Sequence, residues 1–268
     1  MEKANINKTK ILKIAHYNIF NGGTKRLSKI AKVIKEIDPD ICGLLECVGW
    51  ENDVEKYKKY FKSKGYAFFY FIKANSKYNI SVISKIELKV TAIRSGIRHA
   101  IIKAEIVDTR YASLNIFYIH LSPKSEKDRL GEVSILLKKI SKQENTIIMG
   151  DFNSLSRQDN YKEEKLLKNF KKNGITKYGE DYLNFDVISK IEKNKFIDIY
   201  RYFNNKFRHT APTKSNTDIN HKERVRIDYA FTNKEILKRI RGSKIHKSKL
   251  AEIASDHYPL YVEIKKQQ

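Results

Sequence analysis

The chain has 268 residues, and 54 Lys plus Arg against 31 Asp plus Glu give a formal net charge of +23. With 41% hydrophobic residues, 4 Pro and 11 Gly it can bury a sizeable core, which excludes a disordered, collagen-like or coiled-coil chain. Cys42 and Cys47 are too few for a disulfide framework or a four-ligand zinc site, and no stretch has signal-peptide character or the roughly 18 apolar residues of a membrane span.

Residues 11–19 read as a strand, and after Thr24 the apolar positions Leu27, Ile30, Ala31, Ile34 and Ile37 repeat at helical spacing up to Asp38-Pro39. The apolar run Ile41 to Leu45 predicts a buried strand, so the first 46 residues read strand, helix, strand. Further strands are expected at Ile80–Ser84, Ala100–Ile106 and Leu114–Leu121. Ser125 with Asp128 resembles a capping box, and Leu130, Val133, Leu137 and Ile140 form one helical stripe before a strand at Thr146–Met149. A helix over Glu163–Lys172 and strands at Val225–Thr232 and Leu260–Ile264 complete an α/β pattern without a repeat or a Pro/Gly-rich linker. The expected organisation is an extension over 1–10 and a single domain over 11–266.

The positive charge has two readings: a surface for a polyanion such as nucleic acid, or the base composition of an AT-rich genome, which favours Lys, Asn, Ile and Tyr together. The basic residues are spread along the chain, as in Lys56–Lys64, Lys165–Lys172 and Lys238–Lys249. Trp50 and the aromatics between Tyr57 and Phe71 are read as packing ahead of a base-stacking platform.

The chemistry lies in the polar residues at strand ends. Asn18 and Glu46 close the first two strands, His120 closes another, Asp151 and Asn153 follow Met149, Asp228 sits in Arg226-Ile227-Asp228-Tyr229, and Asp256 with His257 precedes the last strand. In α/β sheets ligands collect at strand ends, so these groups can converge on one site. Alternation along an extended chain puts Asp151 with Asn153, and Arg226 with Asp228, on shared faces. Glu46, Asn18 and Asp256 offer hard oxygen donors that suit Mg²⁺ and disfavour zinc. Asp151, Asn153, His120 and the pair Asp228 with His257 supply what hydrolysis of a phosphate ester needs, a base or water orienter and donors for the transition state.

Taken in order, Tyr17-Asn18-Ile19, Pro39-Asp40-Ile41 through Leu45-Glu46, Ile119-His120-Leu121, Gly150-Asp151-Phe152-Asn153, Arg226-Ile227-Asp228-Tyr229 and Ser255-Asp256-His257-Tyr258-Pro259-Leu260 resemble the endonuclease/exonuclease/phosphatase superfamily. The resemblance spans residues 11 to 264 and implies a DNase I-like four-layer α/β/β/α sandwich with two mixed β-sheets and the site at one rim. It implies Glu46 as principal Mg²⁺ ligand, with Mn²⁺ as possible substitute, and Asn18 and Asp256 close to the ion or its waters. Asp151 would activate or orient the attacking water, Asn153 would help to hold it or the phosphate, and His257, oriented by Asp228, would donate to a phosphoryl oxygen. His120 matches the Thr-His-Leu branch, where abasic endonucleases of the exonuclease III type carry a tyrosine segment. Phe20, Asn79 and Ser81 depart from the usual pattern.

Arg98 and Arg226 are candidate substrate contacts, whereas His16, His99, His209, His221 and His246 are read as structural or solvated. The leading function is a Mg²⁺-dependent phosphodiesterase, a nuclease on DNA or RNA; the alternatives are a phospholipid or inositol-phosphate hydrolase with the same core, and a non-catalytic nucleic-acid-binding module. A cytoplasmic monomer with a nucleic-acid partner and no stable membrane association is expected.

Overall fold

The computed structural model describes residues 11–107, 114–140, 145–218 and 220–265, so the expected 1–10 extension lies outside the described residues. The chain runs β1 (Ile11–Asn18), α1 (Leu27–Ile37), β2 (Ile41–Leu45), α2 (Val54–Lys62), β3 (Phe68–Ile72), β4 (Ile80–Ser84), β5 (Leu88–Ile93) and β6 (Ile101–Ile106). It continues through β7 (Asn115–His120), α3 (Glu126–Ile140), β8 (Thr146–Asp151), α4 (Glu163–Lys172), α5 (Asp186–Lys193), β9 (Ile197–Asp198) and α6 (Ile199–Phe203). It ends with β10 (Asp228–Thr232), α7 (Lys234–Leu237), β11 (Ile240–Ile245), α8 (Ala251–Ala254) and β12 (Leu260–Lys265).

Two mixed six-stranded sheets result, ordered β11-β12-β1-β2-β4-β3 and β5-β6-β7-β8-β10-β9. Each has one parallel pair, β1 with β2 and β7 with β8, and every other pairing is antiparallel. A parallel pair needs a crossover, which α1 and α3 supply. α1 stops where Asp38 turns left-handed (φ 51°) and donates its N–H to the Ile34 carbonyl, ahead of Pro39. α3 starts as its capping pattern predicts, with the Asp128 N–H donating to Ser125 Oγ at 3.1 Å.

The sheets pack face to face, β1 and β2 against β7 and β8. Alternation in the second sheet sends Ile116, Tyr118, Ile147 and Met149 into the core shared with the first sheet. Phe117, Ile119 and Ile148 point to the outer face, under α3 and α5. Gly43 lets the sheets approach: a Cβ there would stand 2.2 Å from the Tyr118 ring. On the outside of the first sheet, α1 packs Ile30, Val33, Ile34 and Ile37 into the same core, and Trp50 stacks on Tyr57 of α2 with centroids 4.2 Å apart. The aromatic run from Tyr57 to Phe71 is therefore packing. A smaller cluster, including Leu166, Phe170, Tyr178, Ala211, Val225 and Ile227, anchors α4 and the loops around it. No described helix is long and apolar enough to cross a membrane.

Most expected elements fall within a residue or two of their structural bounds. The strand expected from Val225 begins only at Asp228, because Val225 bridges to Ala211 instead of joining the β8 ladder.

Candidate active site

The two parallel pairs end side by side, and their carboxyl ends carry the polar residues. His120 lies opposite Asp151 in the β7–β8 register, and Asp228, opening β10, lies opposite Asp151 on the other side. Gly150 makes this possible: with φ +147° it passes so close to β7 that a Cβ would stand 1.9 Å from the Ile119 carbonyl oxygen. Asn18 at the end of β1 reaches across between the sheets. Its Nδ2 donates to Glu46 Oε1 at 3.1 Å and to Asp151 Oδ2 at 3.2 Å, while its Oδ1 accepts from the Phe20 N–H at 3.1 Å. The two carboxylates require donors and the N–H requires an acceptor, which fixes the amide orientation. Asn18, expected at the metal, thus brackets two carboxylates and turns its oxygen to the backbone.

Glu46 is held in a left-handed conformation (φ 63°), and its Oε2 accepts from the Asn21 N–H at 3.0 Å. Phe20, Asn21 and Asn153 also have positive φ, each at a cost on the order of 1 kcal/mol. This strain concentrates at the rim where the loops must turn sharply to aim their side chains.

Asp151 is buried and central. Its Oδ1 accepts from the Asn153 N–H at 2.8 Å, and its Oδ2 has His120 Nε2 at 3.6 Å and His257 Nε2 at 3.9 Å. Burial pushes its pKa up, with the two histidines pulling against it. His257 Nδ1 bonds to Asp228 Oδ2 at 2.7 Å. Burial opposes charge on that ring, but Asp228, Asp256 and Asp151 outweigh it and hold His257 well above 6.5. Asp228 is correspondingly lowered: burial works against its charge, and His257 overcomes it. Ser255 Oγ donates to the Asn18 carbonyl at 2.6 Å, tying the Asp256-His257 turn to β1.

Glu46, His120, Asp151, Asn153, Asp256 and His257 all line one cleft of about 280 Å³. Among the described residues, a trio of ligand-type atoms within 4.8 Å of one another belongs to Asp151, Asp228 and His257. That proximity reflects the His257–Asp228 hydrogen bond, and a protonated imidazole does not bind a metal. The donor set that fits an oxygen-seeking divalent cation is Glu46 and Asp256, with Asp151 beside them. Asp256 is pushed up to about 6, first by burial and, against His257, by the neighbouring Glu46 and Asp151. A cation relieves such crowding of carboxylates.

The expected contact Arg226 is corrected. It is fully buried; its Nε lies 2.9 Å from both carboxylate oxygens of Asp159, and its Nη2 lies 2.7 Å from Asp198. Its guanidinium stacks over Tyr229 at 4.3 Å, so it does not face the cleft. Arg98 is exposed outside the cleft, in a shallow pocket with Ser122, Lys124 and Glu132.

Sequence reasoning missed several neighbours. His99 is buried and stacks on His120 at 4.5 Å, with Nδ1 2.6 Å from Ser76 Oγ. His16 is buried with Nδ1 3.8 Å from Asp228 Oδ1; burial lowers it to about 4, so the ring is neutral. Its position two residues before Asn18 on one strand face was the available signal. Lys177 and His221 also line the cleft, and Lys177 Nζ donates to Asn153 Oδ1 at 3.3 Å. Nothing in local spacing marks those two.

A family profile described as Endonuclease/Exonuclease/phosphatase family matches residues 15–257. No curated protein matches the chain. Solved structures share the fold. A 3′ phosphatase from Neisseria bound to a product DNA hairpin has TM-score 0.72 and 14% identity, with 95% of this chain and 99% of that chain covered. An AP endonuclease from Archaeoglobus fulgidus has TM-score 0.72 and 20% identity over 94% and 99% of the two chains. An endonuclease/exonuclease/phosphatase family protein from Leptotrichia buccalis has TM-score 0.63 and 20% identity over 95% and 99%.

Proposed function

The chain belongs to the endonuclease/exonuclease/phosphatase family and is a hydrolase of phosphate esters, and from that premise we propose that it is a divalent-metal-dependent phosphodiesterase that cuts nucleic acid. The observation that carries this reading is the convergence of Glu46, Asp151 and Asp256 with the charged His257–Asp228 pair and His120 in one cleft. The net charge of +23 and two fold neighbours, a 3′ phosphatase bound to a product DNA hairpin and an AP endonuclease, support nucleic acid as the substrate.

Glu46 and Asp256 are the residues to hold Mg²⁺, which supplies positive charge against the negative charge that grows on the phosphoryl oxygens. Asp151 orients a water and takes its proton as the oxygen attacks phosphorus in line with the leaving alkoxide. Asn18 fixes Asp151 relative to Glu46, and Asn153 presents its side chain to the same space, steadied by Lys177. His257 donates from Nε2 to a phosphoryl oxygen while Asp228 keeps the ring charged and aimed. His120 faces Asp151 from the other strand, where it assists the phosphate or the leaving group.

Supercoiled plasmid and an end-labelled single strand, each incubated with Mg²⁺ and with EDTA, test the reading. Cutting in Mg²⁺ that stops in EDTA is the expected result. Folded protein that cuts neither polymer but hydrolyses phospholipid vesicles or inositol phosphates would replace nucleic acid with a lipid-type substrate.

A further inference from the structure

Beside the reaction cleft lies a second cavity, of about 600 Å³, for which the hydrolytic chemistry has no use. The two meet along one loop, since Pro212, Asn216 and Asp218 line both. The second cavity is basic: Lys214, Lys222 and Arg224 line it with His209 of the same stretch and with Lys247, which follows β11. Its two acids are already engaged. Asp218 Oδ2 lies 2.5 Å from His221 Nδ1 and its Oδ1 accepts from the Asn220 N–H at 2.9 Å, while Glu252 accepts from the Tyr258 hydroxyl. Among the described residues, no carboxylate pairs with Lys214, Lys222, Arg224 or Lys247.

Lys247 is the sharpest case. It is half-buried over the Tyr258 ring at 4.4 Å, and among the described residues its Nζ hydrogen-bonds only the His209 ring, at 3.1 Å from Nδ1. Burial and the charges of Arg208 and Arg224, against Glu252, pull it down to about 8, and burial with the Lys247 charge lowers His209 to about 4, so that ring is neutral. A half-buried ammonium with no carboxylate at ion-pair distance among the described residues, in one cavity with a guanidinium able to grip two oxygens, is completed by an oxyanion. The volume falls in the range of cavities that take a small-molecule-sized group.

We propose that this cavity is a second phosphate subsite, which takes a backbone phosphate neighbouring the scissile one on the nucleic-acid strand that lies in the cleft. It rests on the nucleic-acid reading above. The shared wall at Pro212, Asn216 and Asp218 makes cleft and cavity neighbours, so a strand laid across that wall reaches both, and the subsite contributes to binding of a polymer and nothing to hydrolysis of a lone linkage.

The test compares wild type with Arg224→Gln/Lys247→Gln, and with the more exposed pair Lys214→Gln/Lys222→Gln as a second variant should the first fold poorly. Substrates are DNA and RNA oligomers and a dinucleotide with a single phosphodiester; oligomer binding is also read by fluorescence anisotropy in EDTA, away from catalysis. The expected result is a Kd and KM for the oligomer raised about 10- to 100-fold and a shallower salt dependence, by about 0.7 in the log–log slope per lost contact. Turnover of the dinucleotide should stay within about twofold, since one linkage does not reach the cavity. Oligomer affinity that does not change, or dinucleotide turnover that falls in step with it, overturns the subsite while the nuclease reading stands. Inositol hexakisphosphate that binds wild type but not the variant, with oligomer binding untouched, would assign the cavity to a small polyphosphate instead. Wild type that neither binds nor cuts any oligomer, yet hydrolyses bis(p-nitrophenyl) phosphate, sinks the nucleic-acid reading and the subsite with it.

Discussion

Two histidine Nε2 atoms stand within 4 Å of one oxygen of Asp151, and they are held differently. His257 is bonded to Asp228 and carries charge through neutral pH, so its hydrogen bond is charge-assisted. Asp228→Asn removes the counter-charge and leaves burial to dominate, so the ring becomes neutral. Activity is expected to fall about 100- to 1000-fold, more at pH 8 than at pH 6, and the pH–rate profile measures this directly. The pair's stabilising contribution has two limits. Through His257, whose value is raised, it is full below about pH 6.5 and is lost as pH climbs through the folded value. Through Asp228, whose value is lowered, it is present above about pH 3.9 and is lost as pH falls through the folded value. Asp256, raised to about 6, works the opposite way: ionised at pH 7.5, it costs the fold stability that a cation restores, and at pH 5 it is protonated. Millimolar Mg²⁺ added to EDTA-treated protein should therefore raise the melting temperature by about 5 °C at pH 7.5 and by less at pH 5. Equal shifts at both values would remove Asp256 from the metal set. The polar residues that end apolar strands were legible in the sequence because an interrupted hydrophobic run is a local signal. Asn18's orientation was not, since it depends on Glu46 and Asp151 meeting from different sheets.

At the scale of elements, the site follows from two strand–helix–strand crossovers whose parallel strands end together, and both crossovers were readable from periodicity. Edge strands were less so. β3, β5 and β11 lie at the outer edges of the sheets with half-exposed faces, and their apolar alternation is weak. Arg226 shows where alternation misleads. The chain enters β10 only at Asp228, so Arg226 turns away to Asp159 before that strand and Asp198 at the end of β9. It fastens the loop before β10 to the far edge of the second sheet. Arg226→Ala leaves buried Asp198 without its cation and Asp159 with only the more distant Arg201, at 4.0 Å, and should lower unfolding free energy by about 3 to 5 kcal/mol, read by chemical denaturation. The KM for an oligonucleotide should not move in the fraction that stays folded; a raised KM at unchanged stability would return Arg226 to the substrate.

Across the whole molecule, the excess of positive charge acquires a location. Part of it surrounds the second cavity beside the cleft, where the cations form no carboxylate ion pair among the described residues, while much of the rest lies on solvated helix faces such as α2 and α4. Composition alone did not distinguish these, because the stretch from His209 to Arg224 becomes a cavity wall only where the fold sets it against Lys247, Glu252 and Tyr258. The measurement that tests the central claim most directly is the cleavage rate of an end-labelled oligonucleotide in Mg²⁺ by Asp151→Asn beside wild type, with equal melting temperatures established first. A loss of at least about 100-fold is expected, since the carboxylate proposed to orient and deprotonate the water becomes an amide. A folded Asp151→Asn protein that cuts at near the wild-type rate would contradict the account at its centre.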